Sequence, residues 1–379
     1  MDYAQRALEE HKKLKGKISV ELKDQQLEKE KLAIYYTPGV GAVSSHVAEH
    51  PEEARDYTWL GNNVAVISDG SAVLGLGNIG PYGSLPVMEG KSLLFKHFAD
   101  IDAVPIILDV HSADEIVQAV TAIAPSFGGI NLEDIAAPIC FEVEERLKAA
   151  LPIPVFHDDQ HGTAIVSLAG LINACKITNR DLNNCKVVVS GVGAAGVAIM
   201  KLLKEYAPTI QIVAIDSKGI VGSSRDDLNS VKQKLITDNI IVSNQSGALS
   251  DAMVDADIFL GVSQPKVVTQ EMIKTMKPDS IIFAMANPVP EILPDEAKAA
   301  GAAIVATGRS DFPNQVNNAL AFPGIFRGAL DNNVRDITEQ HKLAAANAIA
   351  QLVENPTPDE IIPSVMDERL VPAISQEIK

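Results

Sequence analysis

The chain has 379 residues, and its 49 acidic against 32 basic residues give a formal net charge of −17. Because domains of roughly 100–200 residues are the norm, a chain of this length with ordinary globular composition should fold into two domains. The acidity excludes nucleic acid and anionic membranes as primary partners, because phosphate-rich surfaces are bound by clustered positive charge.

Cysteine use and the apolar segments indicate a soluble protein. A disulfide scaffold and a zinc knuckle are excluded by three widely spaced cysteines, Cys140, Cys175 and Cys185. The first six residues carry mixed charge instead of the basic cap and apolar stretch of a secretory signal. The most apolar runs, 164–175 and 187–200, are shorter than the roughly 20 residues of a membrane span. We therefore expect a cytoplasmic protein that binds no membrane.

The first part of the chain mixes helix and strand signals. The predicted elements are helices over 2–15 and 23–34, a hairpin of 64–68 with 72–76, a strand over 105–110, helices over 112–123 and 138–151, and a strand over 154–156. The hairpin is predicted because Asp69 and Gly70 form a turn signal between two apolar runs. Ser112 with Glu115 three residues later is a capping-box pattern for the start of a helix.

From residue 159 onward, apolar runs alternate with helical segments. The strand candidates are 186–190, 211–216, 256–262, 280–285 and 303–307. Strands that alternate with helices predict a parallel sheet with crossover helices. We expect an N-terminal domain over 1–160 and a second domain over 161–379, with the helical C-terminal segment packing back.

A glycine-rich turn follows the strand predicted at 186–190. It consists of Gly191, Val192, Gly193, Ala194, Ala195 and Gly196. A helical run comes next, and Asp216 ends the following strand, 20 residues past Gly196. This context is typical of a Rossmann-type dinucleotide-binding domain, whose glycines permit the tight turn, the approach of the pyrophosphate and close helix packing. A glycine-rich turn without a ligand is the alternative.

Asp216 predicts which nicotinamide cofactor the domain binds. A carboxylate at this position accepts hydrogen bonds from a ribose 2′-hydroxyl and repels a 2′-phosphate, which favours NAD over NADP. Lys218 and Arg225 follow closely and could neutralise that phosphate. The expected cofactor is NAD, with NADP left open.

Two acidic pairs flank the region of the expected boundary. Glu133 with Asp134, and Asp158 with Asp159, lie among apolar residues at the ends of predicted buried strands. Hard divalent cations prefer several oxygen ligands, so carboxylates that converge there would suit such an ion. As an alternative, Asp158 or Asp159 caps a helix that starts near Thr163.

Several longer strings occur in order between residues 30 and 330. They are Tyr35-Tyr36-Thr37-Pro38-Gly39-Val40, Leu74-Gly75-Leu76-Gly77-Asn78-Ile79-Gly80, Pro86-Val87-Met88-Glu89-Gly90-Lys91, Asn131-Leu132-Glu133-Asp134-Ile135, His157-Asp158-Asp159-Gln160-His161-Gly162-Thr163, Asn287-Pro288 and Gln315-Val316-Asn317-Asn318-Ala319-Leu320-Ala321-Phe322-Pro323-Gly324. Together they resemble the malic enzymes, in the short bacterial form of that family. We therefore expect an α/β fold with a smaller α/β N-terminal domain and a Rossmann-type domain.

The resemblance implies oxidation of malate with NAD(P) and decarboxylation to pyruvate and carbon dioxide, with Mg²⁺ or Mn²⁺. Lys91 matches the general base, which requires a pKa lowered by burial or by electrostatic neighbours such as the metal. Tyr36 matches the general acid that protonates the enolate. The metal ligands implied by the resemblance are Glu133, Asp134 and Asp159.

Further roles follow from the same resemblance. Asp158 is implied to orient Lys91 or the metal site, and Asn287, Asn317 and Asn318 are implied to hold the substrate carboxylates. A homodimer is also implied, with the N-terminal helices at its interface. One departure concerns the arginine that larger eukaryotic members carry before the Leu-Gly-Leu-Gly string, because residues 71–73 contain none here.

Two alternative functions remain open from the sequence. A malolactic-type lyase would convert malate to lactate without net reduction of NAD. An inactive nucleotide-binding regulatory homologue would bind the cofactor without turnover.

Overall fold

The computed structural model describes residues 3–73 and 75–379, and its strands form two separate sheets flanked by helices. The helices are α1 (Tyr3–Leu14), α2 (Lys29–Tyr35), α3 (Val40–Glu49), α4 (Ala54–Tyr57), α5 (Gly80–Ala99), α6 (Ala113–Ile123), α7 (Ile139–Ala150), α8 (Asp158–Ile177), α9 (Ala194–Tyr206), α10 (Ser230–Thr237), α11 (Leu249–Met253), α12 (Gln270–Lys274), α13 (Pro294–Ala299), α14 (Phe322–Asp331), α15 (Glu339–Gln351) and α16 (Leu370–Ser375). The strands are β1 (Asn63–Ser68), β2 (Asp102–Ile107), β3 (Ile130–Leu132), β4 (Val155–His157), β5 (Lys186–Ser190), β6 (Gln211–Asp216), β7 (Gly219–Ile220), β8 (Ile258–Gly261), β9 (Ile281–Ala284) and β10 (Ile304–Thr307).

The first sheet has the order β2-β1-β3-β4, and all of its neighbouring strands run parallel. The predicted hairpin is therefore wrong, because β1 pairs with β2 and β3 instead of with 72–76. Gly70 packs against the backbone of Gly80 at the start of α5, and this contact turns the chain away from the sheet. Within the hairpin segment, Leu74 lies outside the described residues, and Val73 bridges only to Gly77.

The helix predicted over 23–34 begins only at Lys29. Asp24 accepts a hydrogen bond from the backbone N–H of Gln26, and its carboxylate also binds Lys31 and Tyr35. An Asp side chain that bonds the backbone two residues on stabilises a turn in place of a helix. The capping box at Ser112 and Glu115 is confirmed, and α6 begins directly after it.

The second sheet has the order β10-β9-β8-β5-β6-β7, in which only β7 is antiparallel to its neighbour. Read from β7, this is the strand order 3-2-1-4-5-6 of a Rossmann-type dinucleotide-binding domain. All five strands predicted for this part are confirmed. The two-residue β7 was not predicted, because so short a pairing leaves no periodic signal.

One hydrophobic core connects the two sheets. Helix α8 is buried along most of its length and shares a core cluster with Phe95 of α5 and with β5. Phe322 and Phe326 of α14 stack on Phe95 at centroid distances of 4.7 and 5.4 Å. Helix α15 packs on α8, so the C-terminal helices pack back as predicted. Among the described residues, no helix has the length and apolar character needed to cross a bilayer.

Candidate functional site

Carboxylates gather at the carboxyl end of the first sheet. Glu133 and Asp134 directly follow β3, while Asp158 and Asp159 form the first turn of α8 after β4. The parallel register pairs Leu132 with His157, which places these two strand ends side by side. Oxygen atoms of Glu133, Asp134 and Asp159 all lie within 4.8 Å of one another.

The alternative that Asp158 or Asp159 caps a helix starting near Thr163 is wrong, because both residues lie inside α8 and His157 occupies the N-cap position. Helix α8 begins at Asp158, five residues before the expected start near Thr163, and the residue before it makes no side-chain cap hydrogen bond. Two carboxylates in a first turn still suit the positive end of the helix dipole. The predicted domain boundary after residue 160 falls inside this first turn.

Lys91 lies at the centre of the cluster with only 8% of its side chain exposed. Its Nζ atom donates to Asp158 Oδ2 at 2.6 Å and lies 2.8 Å from Glu133 Oε1. Burial disfavours the charged lysine, but Asp158, Glu133 and Asp159 outweigh burial and raise the pKa of Lys91. The sequence predicts a lowered pKa for Lys91, and the structure does not have it where the carboxylates interact with the ammonium group alone.

The carboxylates themselves are held in a site that disfavours their charged forms. Burial raises the pKa of Asp158 to about 7 and also raises the pKa values of Glu133 and Asp159. Close, buried carboxylates of this kind are stabilised when a cation compensates their charge. The donor set, which consists of hard oxygen atoms, fits Mg²⁺ or Mn²⁺.

Residues around the cluster were missed as functional candidates by the sequence analysis. Asn131 Nδ2 donates to Glu133 Oε2 at 2.9 Å, and the Phe322 ring centroid lies 4.2 Å from Lys91 Nζ. A Cβ atom at Gly162 would collide with the Asp158 carboxylate, so only glycine leaves room there. Asn131, Gly162 and Phe322 all lie within the strings that resemble malic enzymes, and no other sequence signal marks them.

The three asparagines that were expected to hold the substrate carboxylates occupy different positions. Asn318 lies beside the Asp158 carboxylate and so joins the cluster. Asn317 Oδ1 accepts a hydrogen bond from the N–H of Ala319 and caps a short 3-10 turn over 318–320. Asn287 follows β9, and its backbone carbonyl faces Gly75 while its amide nitrogen faces Gly308.

Tyr36 is not joined to the cluster by any hydrogen bond among the described residues. It follows helix α2 as its C-cap residue, and 67% of it is exposed. Helices α1, α2 and α3 bury none of their residues, so this whole N-terminal segment lies on the surface of the chain.

The glycine turn after β5 has the shape that a dinucleotide requires. A Cβ atom on Gly191, where φ is +110°, would press on the carbonyl of Val262, and one on Gly196 would collide with the carbonyl of Gly191. A Cβ atom on Gly193 would meet nothing within 4 Å. Two glycines are therefore required by packing, while the third leaves open space beside the N-terminus of α9, where a pyrophosphate would approach. Val192 lies within the turn, and Ala194 and Ala195 open the helix.

Asp216 ends β6 next to this turn, since the Gly191 N–H donates to the Ile215 carbonyl at 2.8 Å. Both carboxylate oxygens of Asp216 accept hydrogen bonds from cationic side chains. Arg225 Nη1 donates to Oδ1 at 2.7 Å, and Lys232 Nζ donates to Oδ2 at 2.6 Å. Burial opposes ionisation of Asp216, but these hydrogen bonds outweigh it and lower the pKa of Asp216. Lys232 was missed because it lies 16 residues further along the chain.

The chain is similar to known proteins along both of its parts. The family models described as "Malic enzyme, N-terminal domain" and "Malic enzyme, NAD binding domain" match residues 12–115 with 110–148, and residues 160–378. The chain is 50% identical over 384 residues to the bifunctional malic/malolactic enzyme of Bacillus subtilis, covering all of this chain and 92% of that protein. It is 46% identical to the NADP-dependent malic enzyme of Halomonas elongata, covering 99% of this chain and 92% of that protein.

A solved structure is similar to this chain over nearly its whole length. The crystal structure of the NAD-dependent malic enzyme from Thermotoga maritima superposes with a TM-score of 0.94 at 49% identity, covering 98% of each chain. Similarity of this extent includes both sheets and the helices that join them. Since both family models match in order along one continuous fold, the chain belongs to the malic enzyme family.

Proposed function

We propose that the protein oxidises malate with a nicotinamide cofactor and decarboxylates the product to pyruvate and carbon dioxide. The observation that carries this proposal is the buried Lys91, hydrogen-bonded to Asp158 beside three converging carboxylates. A base and a candidate site for a hard cation therefore lie side by side at the carboxyl end of the first sheet. The names of the similar proteins support malate as the substrate.

Lys91 takes the proton from the C2 hydroxyl of malate, and Asp158 holds the ammonium group that results. Glu133, Asp134 and Asp159 would hold the divalent cation, which supplies Lewis-acid polarisation of the C2 oxygen. Once these carboxylates are engaged, less negative charge faces Lys91, so its neutral form becomes accessible. Bound NAD(P) supplies the hydride acceptor. Asn287, Asn317 and Asn318 would hold the substrate carboxylates, a task that no arginine at 71–73 performs.

Tyr36 protonates C3 of the enolate in this proposal. A phenol O–H can donate its proton to the carbanion-like C3. A general acid works best where water is excluded, yet most of Tyr36 is exposed on the single chain. We infer that the protein works as a homodimer, in which a second copy covers the N-terminal surface that carries Tyr36.

A malolactic activity is the second candidate, and one observation favours it. The Bacillus subtilis relative, 50% identical over this whole chain, is named as bifunctional. The two activities share the substrate and the first steps, and they differ in whether reduced cofactor leaves or is used again to give lactate.

One assay separates the candidate functions. Purified protein with malate, Mn²⁺ and NAD or NADP should form pyruvate and reduced cofactor in equal amounts, whereas a malolactic lyase would form lactate without net reduction. Lys91→Ala should lower kcat by about 10²–10⁴-fold, the usual contribution of a general base. Lys96→Ala, which changes an exposed lysine on the same helix, is the matched control and should keep full activity.

Cofactor binding without turnover in the unmodified protein would contradict both activities and would favour the regulatory homologue. Full activity of Lys91→Ala would remove Lys91 from the mechanism. Circular dichroism of each variant shows whether the fold is intact.

A further inference from the structure

A cavity of about 250 Å³ lies between helices α7, α8, α9 and α15. None of its described lining residues belongs to the carboxylate cluster around Lys91 or to the glycine turn. Apolar side chains, among them Ala164, Val197 and Leu202, form part of the wall, and charged or amide side chains form the rest. The cavity is several times larger than one water molecule, so a small solute fits within it.

One hydrogen-bond donor in this wall is buried without a partner. Gln160 lines the cavity and is 4% exposed, and its Nε2 atom makes no hydrogen bond to any of the described residues. An amide nitrogen carries two N–H donors, and leaving such donors buried and unpaired is costly. A ligand that offers acceptor oxygens in the cavity would satisfy them.

A buried ammonium group faces the same cavity. Lys342 is 2% exposed, and its Nζ atom donates to Glu339 Oε1 at 2.6 Å. Burial lowers the pKa of Lys342, Glu339 opposes this effect, and the positive charge of Lys148 adds to it. Since more than half of the Glu339 side chain is exposed to water, it compensates the buried charge incompletely. An anion in the cavity would complete that compensation.

The other charged groups of the wall do not fill these donors. Glu144 is paired with Lys148 at 2.6 Å and hydrogen-bonded to His161 Nε2 at 2.8 Å. Glu145 also lines the cavity, but it is exposed to water, which screens its charge. Lys201 of α9 is exposed as well, and its ammonium group makes no hydrogen bond within the part of the chain that the structure describes. The acceptors of the wall are therefore engaged or screened, while several donors remain unpaired.

We propose that this cavity is a binding site for a small oxyanion, held by Lys342, Lys201 and the amide of Gln160. A carboxylate and an inorganic phosphate share this chemistry, since both present negatively charged acceptor oxygens, which form stronger hydrogen bonds than neutral ones. The apolar part of the wall favours a carboxylate that carries a short carbon chain. The inference goes beyond the proposed function and does not depend on it.

The competing interpretation is that these groups serve only as ion pairs that join α7 and α15 to α8. In that case anions act through general ionic strength alone, and Lys342→Met changes stability without changing the response to any anion. The two interpretations therefore differ in whether the effect of an anion is saturable and whether it depends on Lys342.

The experiment titrates the full chain with sodium propionate and, separately, with inorganic phosphate, by calorimetry and thermal melts at an ionic strength held constant with chloride. Neither malate nor a cofactor is present, so failure of the proposed function does not affect the readout. One of the two anions should bind with a Kd of about 1 mM or lower and raise the Tm as it saturates the site. Tighter binding of propionate identifies a carboxylate site, and tighter binding of phosphate identifies a phosphate site.

In Lys342→Met the same anion should bind at least ~10-fold more weakly, because a hydrogen bond to a charged group contributes about tenfold or more. Lys176→Met removes an exposed lysine at the far end of α8 with the same change of net charge, and it should leave the Kd unchanged. Lys201→Met, which changes an exposed residue of the site, serves with the same expected direction if Lys342→Met does not fold. The proposal is overturned if neither anion saturates, or if the folded variant binds as tightly as the unmodified protein, which would indicate an adventitious ion only.

Discussion

Lys91 shows how a buried residue acquires its properties from groups far away in sequence. It is paired with Asp158 and Glu133, each from a different strand end, and these partners reverse the effect of burial on the pKa of Lys91. The family-like string that contains Lys91 could be read from the sequence. The sign of the pKa shift could not, because it depends on how many carboxylates converge on one nitrogen.

The proposed cation site should bind Mn²⁺ more weakly as the pH falls. Burial raises the pKa of Asp158 to about 7 and those of Glu133 and Asp159 above their ordinary values, so these groups hold protons in mildly acidic solution. A cation must displace those protons, and each one displaced weakens binding by up to about tenfold per pH unit. Calorimetry from pH 5.5 to 8, in two buffers of different ionisation enthalpy, measures the Kd and the protons released.

Glu133→Gln should abolish this binding. Glu52→Gln is the matched control, since the exposed Glu52 belongs with the half-buried His50 and Glu53 to a second group in which ligand atoms lie within 4.8 Å of one another. A Kd that is the same at pH 5.5 and pH 8 would show that protons and the cation do not compete for these carboxylates.

At the scale of elements, the glycine turn between β5 and α9 contains one glycine that packing requires, Gly196, and one that leaves space for the cofactor, Gly193. Gly193→Ala should fold with an unchanged Tm but bind NAD at least ~10-fold more weakly, because its Cβ meets no protein atom and points into open space. Gly196→Ala should instead lower the free energy of unfolding by about 1–3 kcal/mol, since its Cβ overlaps the Gly191 carbonyl. Thermal melts and NAD titrations of both variants check this contrast. An equal loss of Tm in both would contradict it.

Elements with a strong local signal were predicted well. The five predicted strands of the second sheet are largely apolar runs, and the capping box at Ser112 marks the start of α6 by itself. The hairpin after β1 failed because a turn signal does not show which strand lies alongside. That choice is made by tertiary contacts, here the contact of Gly70 with Gly80 and the parallel pairing of β1 with β2 and β3.

The candidate site could likewise be predicted only where the sequence carries a local signal. The strings containing Glu133, Asp134 and Asp159 marked the residues that the structure brings together. The pairing of Asp216 with Lys232 could not be expected, since it depends on how the loop after β7 folds back. The surface position of Tyr36 was equally hidden, because the string that contains it carries no signal of how far the fold exposes it.

At the scale of the whole molecule, the exposed apolar residues of the N-terminal segment predict self-association. Val20 is 94% exposed, and large apolar side chains of α1 and α2, among them Leu8, Leu32 and Ile34, are also on the surface. Large apolar side chains that are exposed together in one segment of a chain are typical of an interaction site. Sedimentation equilibrium should therefore give twice the chain mass of 40.4 kDa.

Val20→Asp should shift this equilibrium to the monomer and lower activity in parallel. Met366→Asp, which changes an exposed apolar residue near the other end of the chain, should leave both unchanged. A monomeric mass for the unmodified protein at full activity would contradict the homodimer.

The contact of Phe322 with Lys91 has a consequence for synthesis of the chain. The ring that covers the Lys91 ammonium group belongs to α14, and Arg55 Nη2 and Arg327 Nη1 tie the same helix to the N-terminal part through hydrogen bonds to Leu330 and Asn62. During synthesis, Lys91 and its carboxylate partners therefore lack this cover until α14 has been made.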